Sequence, residues 1–308
     1  MRALCSGRHA DVTPMPAPAV SVIIVSFNSG PLLLQSVQAA LGSSLPVQVL
    51  VSDNGSEDGS MDSLAGVADR DPRVELYRGD RNRGFAAAAN RVLPQAQAPW
   101  LLFLNPDCLL EPDTLARMLA VLEDWPDAGI AGPLIRNADG SEQPGGRRRE
   151  PTPWRSLARV LGLQRLRPGD HRFADFNLHR DPLPDAPVAV DAISGAFMLA
   201  RRAALDRVGP LDEGYFLHCE DLDWCRRFRD AGFTVLFVPQ VAVVHHKGVS
   251  SRARPVRVEW HKHRGMMRYY RKFFLGAHPR PLFWLVGIAV WARFVLLAAW
   301  LTFERRRS

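Results

Sequence analysis

The stretch Trp100-Leu-Leu-Phe-Leu-Asn-Pro-Asp107 decides the fold of this chain. Its first five residues form a continuous apolar run, which is typical of a strand buried on both faces of a parallel sheet. The run breaks at Asn105-Pro106, because proline has no N–H to donate to the sheet ladder. Asp107 is therefore expected just beyond the carboxyl end of a strand, where open α/β sheets bind ligands. A carboxylate there suits a divalent cation that carries substrate phosphates; the alternative is a turn residue beside a proline.

Strands and helices are predicted to alternate on both sides of this stretch. Before it, we predict strands at Val20–Phe27, Val47–Val51 and Val74–Tyr77, and helices from Pro31 to Leu41, after the polar loop Ser52–Ser60, and from Gly84. After it, we predict helices at Asp113–Trp125 and Glu220–Ala231, the second closed by Gly232, and strands at Gly129–Ile135, Ser194–Leu199, Phe233–Val238 and Val241–Val244. This alternation predicts an α/β chain with a doubly wound, mostly parallel sheet.

Composition sets broad limits on the class of protein. The 308 residues are 47% hydrophobic and 23% charged, which fits one large or two small globular domains. The net charge of +7 favours polyanionic partners such as nucleotides, nucleic acid or acidic lipid headgroups, although an arginine-rich codon bias also produces such a surplus. The four cysteines form no Cys-x-x-Cys pair, so we expect reduced thiols in a cytosolic setting. Residues 1–19 predict a disordered tail without a signal peptide.

Two segments lie outside the α/β alternation. Residues 136–189 contain Gly145-Gly-Arg-Arg-Arg149 and many prolines, which predicts a long surface insertion with a helix near Trp154–Leu163. After the sheet region, Arg257–Phe274 is basic and aromatic and predicts a helix. The final stretch, Leu282–Phe303, is apolar except for Arg293 and is long enough to span a bilayer.

A central arginine is costly inside a bilayer. The basic residues at both ends of the apolar stretch also give no charge asymmetry that would orient a span. We therefore predict a helix that lies in the membrane interface or dips into one leaflet, with Arg293 snorkelling toward the headgroups. A core helix is the alternative, although the stretch is longer than most globular helices.

Acidic or small polar residues recur where the predicted strands end, at Ser26, Asp53 and Asp107. Such groups suit a nucleotide, since a carboxylate can accept a hydrogen bond from a pyrimidine N3–H and a metal can bridge the diphosphate. The first strand is not followed by Gly-x-Gly-x-x-Gly, which argues against a dehydrogenase. The chain also lacks Gly-x-x-x-x-Gly-Lys-Ser/Thr, which excludes a P-loop NTPase.

Two further clusters carry candidate chemistry. Glu220, Asp221 and Asp223 stand at a predicted helix start, where the helix dipole and capping explain part of their presence. Crowding of like charges raises a carboxylate pKa toward the range useful for a general base. His245 ends a predicted strand, and beside an Asp-held metal it would be an imidazole ligand rather than a structural histidine.

Taken in order, these motifs resemble those of family 2 glycosyltransferases of the GT-A (nucleotide-diphospho-sugar transferase) fold. The matching motifs, which lie between Val20 and Ser251, are Val25-Ser-Phe-Asn28, Asp53-Asn-Gly-Ser-Glu-Asp-Gly-Ser60, Asn82-Arg-Gly-Phe-Ala86, Leu104-Asn-Pro-Asp107, Ser194-Gly-Ala-Phe197, Glu220-Asp-Leu-Asp-Trp224 and His245. The insertion Gly146-Arg-Arg-Arg-Glu-Pro-Thr-Pro-Trp154 resembles the rhamnosyltransferase branch of that family. One departure is Asn105, which stands where the fold usually has the first carboxylate of an Asp-x-Asp metal motif.

The resemblance implies a role for each matching residue. Asp53 would read the pyrimidine base, and four residues would line the nucleotide pocket or lie close to it: Ser26, Asn28, Asn82 and Gly84. Asn105 would accept a hydrogen bond or coordinate through its carbonyl, while Asp107 and His245 would hold Mg²⁺ or Mn²⁺ on the diphosphate. Asp221 would deprotonate the acceptor hydroxyl, and Glu220 or Asp223 would contact the acceptor.

The implied function is an inverting sugar transfer from dTDP-L-rhamnose to a lipid-linked or cell-envelope saccharide. Residues 20–255 would form the GT-A domain, and residues 256–308 a membrane-associated helical segment on the cytoplasmic face of the inner membrane, peripheral or monotopic, with no nucleic acid partner. Alternatives are a transferase that uses a UDP- or GDP-hexose and an inactive, membrane-associated glycan-binding module. A sugar nucleotidyltransferase shares the sheet type, but Asn28-Ser-Gly-Pro31 lacks the Gly-rich basic loop expected after its first strand.

Overall fold

The architecture comes from a computed structural model that describes residues 16–160, 175–246, 255–276 and 280–307. Residues 1–15 of the predicted tail lie outside the described residues. The main sheet has nine strands in the described chain, in the order β3-β2-β1-β4-β10-β6-β11-β5, with β8 added beside β11. The strands are β1 (Val20–Ser26), β2 (Val47–Asp53), β3 (Val74–Tyr77), β4 (Trp100–Leu104), β5 (Cys108–Leu109), β6 (Ala128–Arg136), β8 (Val188–Ala189), β10 (Phe197–Arg201) and β11 (Thr234–His245).

The sheet is mixed but mostly parallel, as the sequence predicted. Strands β3, β2, β1 and β4 run parallel to one another, whereas β10 runs antiparallel between β4 and β6. A small second sheet pairs β7 (Arg147–Arg148) with β9 (Ala192–Ile193). The expected strands Phe233–Val238 and Val241–Val244 form the single strand β11, because a bulge between Val238 and Ala242 absorbs the irregularity without ending the pairing with β6.

Helices cover both faces of the sheet and divide the apolar residues into two clusters. The helices are α1 (Leu32–Leu41), α2 (Ser60–Ala68), α3 (Phe85–Val92), α4 (Thr114–Glu123), α5 (Pro153–Val160), α6 (Arg202–Val208), α7 (Glu220–Asp230), α8 (Pro255–Phe274) and α9 (Arg280–Arg307). One cluster lies under α1, α2 and α4, and the other lies under α3, α6 and α7 and extends to α8 and α9. Alternate residues of β1 enter opposite clusters, which is why that strand reads as one apolar run.

Local chemistry explains how α7 ends. Gly232 has a φ of +86°, and its N–H donates to Arg229 O at 2.9 Å, while Phe233 N–H donates to Phe228 O at 2.9 Å. These two bonds and the left-handed glycine form a Schellman motif, so the predicted stop at Gly232 is confirmed. Because α7 ends there, β11 can begin at once and return toward the sheet.

The predicted insertion does not run over the surface throughout. Arg147 is buried, the Arg148 side chain is 12% exposed, and β7 pairs with β9, so the prediction of a surface segment is wrong for these two residues. Arg147 forms an ion pair with Glu142 and Arg148 forms one with Asp221, which offsets part of the cost of taking the two guanidinium groups out of water. The helix predicted near Trp154–Leu163 is present as α5 up to Val160, and its last part lies outside the described residues.

Helix α9 packs on the body of the protein along one face. Val286 and Val290 are buried in the cluster that also contains Tyr269 and Tyr270 of α8. The snorkelling of Arg293 toward headgroups stays a prediction; its Nη1 lies 2.9 Å from His263 Nε2 and 3.9 Å from Glu259 Oε2 of α8. The Nδ1–H of His263 donates to Glu259 O at 2.6 Å, which leaves Nε2 free to accept from Arg293.

On its other side, α9 presents exposed apolar residues up to Phe303. Among the described residues, the stretch Arg280–Glu304 is the one helix long and apolar enough to cross a membrane, and 17% of its apolar window is buried. A core helix would be mostly buried, so that alternative does not describe α9. The exposed side includes Trp284, Ile288, Leu296 and Trp300.

Candidate active site

The loops after β1 and β2 are hydrogen-bonded into one unit at the carboxyl edge of the sheet. Asn54 N–H donates to Ser26 O at 2.8 Å, and Asn28 N–H donates to Ser56 Oγ at 2.9 Å. Asn28 has a φ of +50°, and its side-chain Oδ1 accepts the N–H of Glu57 at 2.9 Å. The structure thus brings Ser26 and Asn28 beside the β2 loop, where the sequence predicted a nucleotide pocket.

Asp53 ends β2 inside this unit. Its carboxylate is buried and accepts one backbone N–H in the described chain, from Ser56 at 3.0 Å. A carboxylate has about four acceptor positions, so the bond to Ser56 orients the group without exhausting it. The arrangement is compatible with recognition of a donor N–H on a base.

A third loop is joined to this unit through Asn54, a residue for which the sequence predicted no role of its own. Asn54 Nδ2 donates to Gly84 O at 3.0 Å, and Asn82 Oδ1 accepts the Gly84 N–H at 2.9 Å. Gly84 has a φ of +91°, and a Cβ on it would lie 2.5 Å from Phe216 O. No other residue fits there, because both the conformation and the close approach of the 209–219 loop require glycine.

Asp107 and His245 are neighbours although 138 residues separate them in the sequence. Strand β5 pairs antiparallel with the end of β11 and sets His245 opposite Cys108. His246 N–H also donates to Asp107 O at 2.9 Å. As a result, His245 Nε2 lies 3.1 Å from Asp107 Oδ1, and both side chains are buried.

Gln143 determines which nitrogen of His245 carries the proton. Its Nε2 amide donates to Asn137 Oδ1 at 2.9 Å and to His245 O at 3.3 Å, so its Oε1 faces the imidazole and accepts from Nδ1 at 2.7 Å. The Nδ1–H of His245 therefore donates to Gln143, and Nε2 points toward the Asp107 carboxylate. Such a second hydrogen bond is how proteins orient metal-binding imidazoles.

At 3.1 Å, the Asp107 oxygen and the His245 nitrogen either share a proton or hold a cation between them. Asp107 Oδ1 and His245 Nε2 therefore fit a divalent metal, and Asn105 approaches the same nitrogen with its Nδ2 amide at 3.3 Å. The described residues contain no group of three or more His, Cys, Asp or Glu side chains that could hold an ion. A metal here would take its remaining ligands from substrate oxygens and water, as Mg²⁺ commonly does.

Asp221 stands at the start of α7 and is linked to the Asp107 region by a short run of backbone. Asn105 N–H donates to Ala196 O at 3.0 Å, and the adjacent Gly195 N–H donates to Asp221 Oδ2 at 3.2 Å. Arg148 Nη2 lies 2.5 Å from the same carboxylate oxygen. The turn before β10 thus joins the candidate metal pair to the candidate base.

The electrostatics of Asp221 differ from the sequence expectation. Burial opposes its ionisation, but the Arg148 guanidinium outweighs burial and holds the pKa of Asp221 below its usual range. The prediction that crowding raises the pKa of this carboxylate is therefore wrong for Asp221. The prediction holds for Glu220, because burial raises the pKa of its carboxyl to about 8 and the neighbouring charge on Asp221 adds to that effect.

The other two acidic residues of the motif have different surroundings. Glu220 is buried, and its Oε2 has no hydrogen-bond partner among the described residues. Asp223 is fully buried and accepts hydrogen bonds from Arg227, Tyr215 and Lys272 at 2.7, 3.1 and 2.6 Å. The Asp223 carboxylate thereby connects α7 to α8. Because its oxygens bind side chains of the protein, this carboxylate points into the protein and not toward a substrate.

Sequence reasoning missed two residues that hold the site together, Gln143 and Arg148. Both lie in the segment predicted as an insertion; Gln143 belongs to no quoted motif, and Arg148 belongs to the stretch 146–154, for which no role was predicted residue by residue. The signal for Arg148 was weak: a run of three arginines flanked by glycine and proline, read as solvated. Gln143 had no signal in the sequence, because its importance comes from the tertiary neighbour His245.

Comparison with known proteins identifies the family of the chain. The family model "Glycosyl transferase family 2" matches residues 21–208, more than half of the chain. The protein is therefore a glycosyltransferase with a GT-A fold, and it belongs to glycosyl transferase family 2.

Two relatives and one solved structure illustrate the similarity. The chain is 31% identical over 300 residues, 93% of this chain and 95% of the relative, to "N-acetylglucosaminyl-diphospho-decaprenol L-rhamnosyltransferase" of Mycobacterium tuberculosis H37Rv. It is 28% identical over 160 residues, 51% of this chain and 56% of the relative, to "Rhamnosyltransferase WbbL" of Escherichia coli K12. A mannosyltransferase from Pyrobaculum calidifontis, solved with GDP-Man and Mn²⁺, has the same fold, with a TM-score of 0.59 at 20% identity over 94% of this chain and 74% of that one.

Proposed function

We propose that this protein transfers L-rhamnose from dTDP-L-rhamnose to a lipid-linked saccharide acceptor, with inversion at the anomeric carbon. The observation that carries the transferase chemistry is the convergence of an Asp107–His245 pair and an ionised Asp221 through one turn, Ser194–Ala196. The rhamnosyl donor and the lipid-linked acceptor are supported by the mycobacterial relative, which is aligned over nearly the whole of both chains.

The nucleotide would lie along the unit formed by the β1, β2 and Gly84 loops. Asp53 has acceptor positions for a thymine N3–H, and the loop bonds made by Asn28 and Asn54 support the segment that carries it. Asn82 would lie close to the nucleotide, since its side chain fixes the backbone at Gly84. Pre-formed loops of this kind lower the ordering cost of donor binding.

Asp107 and His245 would hold Mg²⁺ or Mn²⁺ on the diphosphate. The ion supplies charge stabilisation to the leaving diphosphate. Gln143 contributes by turning Nε2 of His245 toward Asp107, and a metal would replace the contact between the Asn105 amide and that nitrogen. With one carboxylate fewer than an Asp-x-Asp motif, this site depends more strongly on the diphosphate for its remaining ligands.

Asp221 would act as the base. Its carboxylate takes the proton of the acceptor hydroxyl while that oxygen bonds to the anomeric carbon and the bond to the diphosphate oxygen breaks, its electron pair leaving with the nucleoside diphosphate. Arg148 keeps Asp221 ionised at neutral pH, and Gly195 N–H orients the carboxylate. Glu220, buried beside it with an unpartnered oxygen, would contact the acceptor.

The acceptor would be reached at the cytoplasmic face of the inner membrane. Helix α9 presents apolar residues outward along its length, and basic and aromatic side chains of α8 lie next to it. Aromatic and cationic side chains favour the headgroup layer, and an exposed apolar helix face favours the acyl boundary. The support is for a peripheral or monotopic arrangement, because the opposite face of α9 is packed on α8 and α5.

A donor screen tests the proposal. Purified full-length protein is incubated with Mn²⁺ and dTDP-L-rhamnose, UDP-hexoses or GDP-hexoses, with and without a decaprenyl-diphosphate-linked saccharide, and nucleoside diphosphate release is measured. We expect release to be fastest with dTDP-L-rhamnose and to increase when the acceptor is added. Faster release from a UDP- or GDP-hexose would reassign the donor, and no release from any donor would favour an inactive glycan-binding module.

A further inference from the structure

A pocket of about 280 Å³ lies away from the donor loops, between α8, α9 and the 209–219 loop. Its lining residues are Gly214, Arg264, Met267, Arg268, Arg271 and Trp291. The volume is near the lower end of the range for small-molecule sites, about 300–1,000 Å³. Three arginines at spacings of four and three residues share one face of α8, which makes this pocket strongly cationic.

The charge in the pocket is only partly compensated. Arg268 pairs with Asp212 at 2.8 Å, and Asp212 also pairs with Lys272. Arg264 lies over the Trp260 ring at 5.3 Å, and no carboxylate in the described ranges forms an ion pair with Arg264 or Arg271. Two exposed guanidinium groups therefore face this space with no carboxylate partner in the described part of the chain, and paired guanidinium groups of this kind bind phosphate oxygens in proteins.

The other residues that line the pocket indicate which kind of phosphate-bearing ligand fits it. Met267 and Trp291 are apolar, and Trp291 belongs to a line of exposed residues on α9 with Trp284, Ile288 and Val295. Their spacing of four, three and four residues places them on one side of the helix. The cationic pocket thus opens beside a continuous apolar stripe, so a ligand with a phosphate at one end and a hydrocarbon chain at the other matches both parts.

We propose that this pocket binds the phosphate group of a membrane lipid, with its chain lying along the Trp284–Val295 stripe. A free phosphate ion would use the arginines but not Met267 or Trp291, so the apolar wall favours the lipid. The inference does not depend on transferase activity, because it concerns binding at a place that the donor loops and Asp221 do not line.

Gly214 contributes to the shape of the pocket. A Cβ on Gly214 would lie 2.0 Å from Arg268 Cζ, so any larger residue would push that guanidinium away from its present position. Arg268 packs over the Tyr215 ring at 5.3 Å, and its ion pair with Asp212 ties α8 to the 209–219 loop. Arg268 therefore frames the pocket, and Arg264 and Arg271 remain the residues that bind the phosphate.

The test uses full-length protein in neutral detergent and isothermal titration with monomeric dihexanoyl phosphatidic acid or inorganic phosphate. We expect saturable binding of the short-chain lipid, with a Kd lower than that for inorganic phosphate. Arg264→Gln/Arg271→Gln should weaken lipid binding roughly 30-fold, since each arginine near an anionic lipid contributes about 1 kcal/mol and 1.4 kcal/mol corresponds to about tenfold. The charge-matched control Arg70→Gln/Arg180→Gln, two exposed arginines outside the pocket, should leave the Kd unchanged.

A second variant separates the two sources of phosphate. Trp291→Ala should weaken lipid binding and leave the affinity for inorganic phosphate as it was. Three results would overturn the inference: equal affinities for lipid and inorganic phosphate, equal losses in the pocket variant and the charge-matched control, or no saturable lipid binding. The first would indicate a site for free phosphate, and the second a diffuse attraction between the basic surface and the lipid.

Discussion

The substitution Asp221→Asn removes the proposed base while keeping the side chain nearly isosteric. General-base catalysis contributes roughly 10²–10⁴-fold to a rate, which is about 3–5 kcal/mol of transition-state stabilisation. We therefore expect rhamnosyl transfer to fall by that factor. Donor affinity should stay the same, because the hydrogen bonds described for Asp53 and for Asp221 involve different loops.

The same substitution also breaks a buried ion pair, so stability must be separated from catalysis. The Asp221 and Arg148 side chains are 13% and 12% exposed, and breaking a buried pair by removing one partner costs about 3–5 kcal/mol of folding free energy. Arg148→Met breaks the same pair and keeps the carboxylate, which makes it the matched control. Rates are compared per folded molecule, with the folded fraction taken from donor binding.

The pH dependence of the control gives a second readout. A base works only when ionised, so activity is lost as the pH falls through its pKa. Because Arg148 holds the pKa of Asp221 low against the effect of burial, Arg148→Met should move the acidic limb of the pH–rate profile to higher pH. Transfer near the wild-type rate by folded Asp221→Asn would refute the assignment and move the role to Glu220.

Three further outcomes are expected. Asp107→Ala should weaken activation by Mn²⁺ or Mg²⁺, and His245→Ala should do so less severely, since imidazole is a poorer ligand for hard cations; full transfer activity in EDTA would rule out a metal at both residues. Ile288→Glu places a charge on the exposed side of α9, so we expect the full-length chain to move from the membrane fraction to the soluble fraction. The control Leu183→Glu, on an exposed loop, should leave the chain in the membrane fraction. Burial raises the pKa of Glu220 to about 8 from 4.5 in the unfolded chain, so the wild type should lose folding free energy as the pH rises from 4.5 through about 8. Glu220→Gln should lack that loss in urea unfolding, and a stability difference that is constant with pH would contradict the assigned pKa.

Local sequence patterns were sufficient for the longer elements of this fold but not for the helix α6 or the two-residue strands, which were not predicted. Strands β1, β2 and β4 are mostly apolar and buried on both faces, and Gly232 ends α7 through bonds that span six residues. The bulge within β11 had no such signal, because whether a strand ends or bends depends on the partner strand that continues beside it. The inward turn of Arg147–Arg148 was missed for a similar reason: an arginine run reads as solvated unless its buried partners are known.

For the site, the sequence determined which residue types stand at the ends of strands and helices, and therefore which side chains could do the chemistry. The tertiary structure decided how those side chains are held. Gln143 meets His245 across 102 residues, and Arg148 meets Asp221 across 73. The proton position on an imidazole and the pKa of a buried carboxylate depend on such neighbours, because electrostatic and hydrogen-bond energies act through space and over a few ångströms. No local pattern encodes those distances, so the direction of the Asp221 pKa shift became clear only once β7 was seen beside α7.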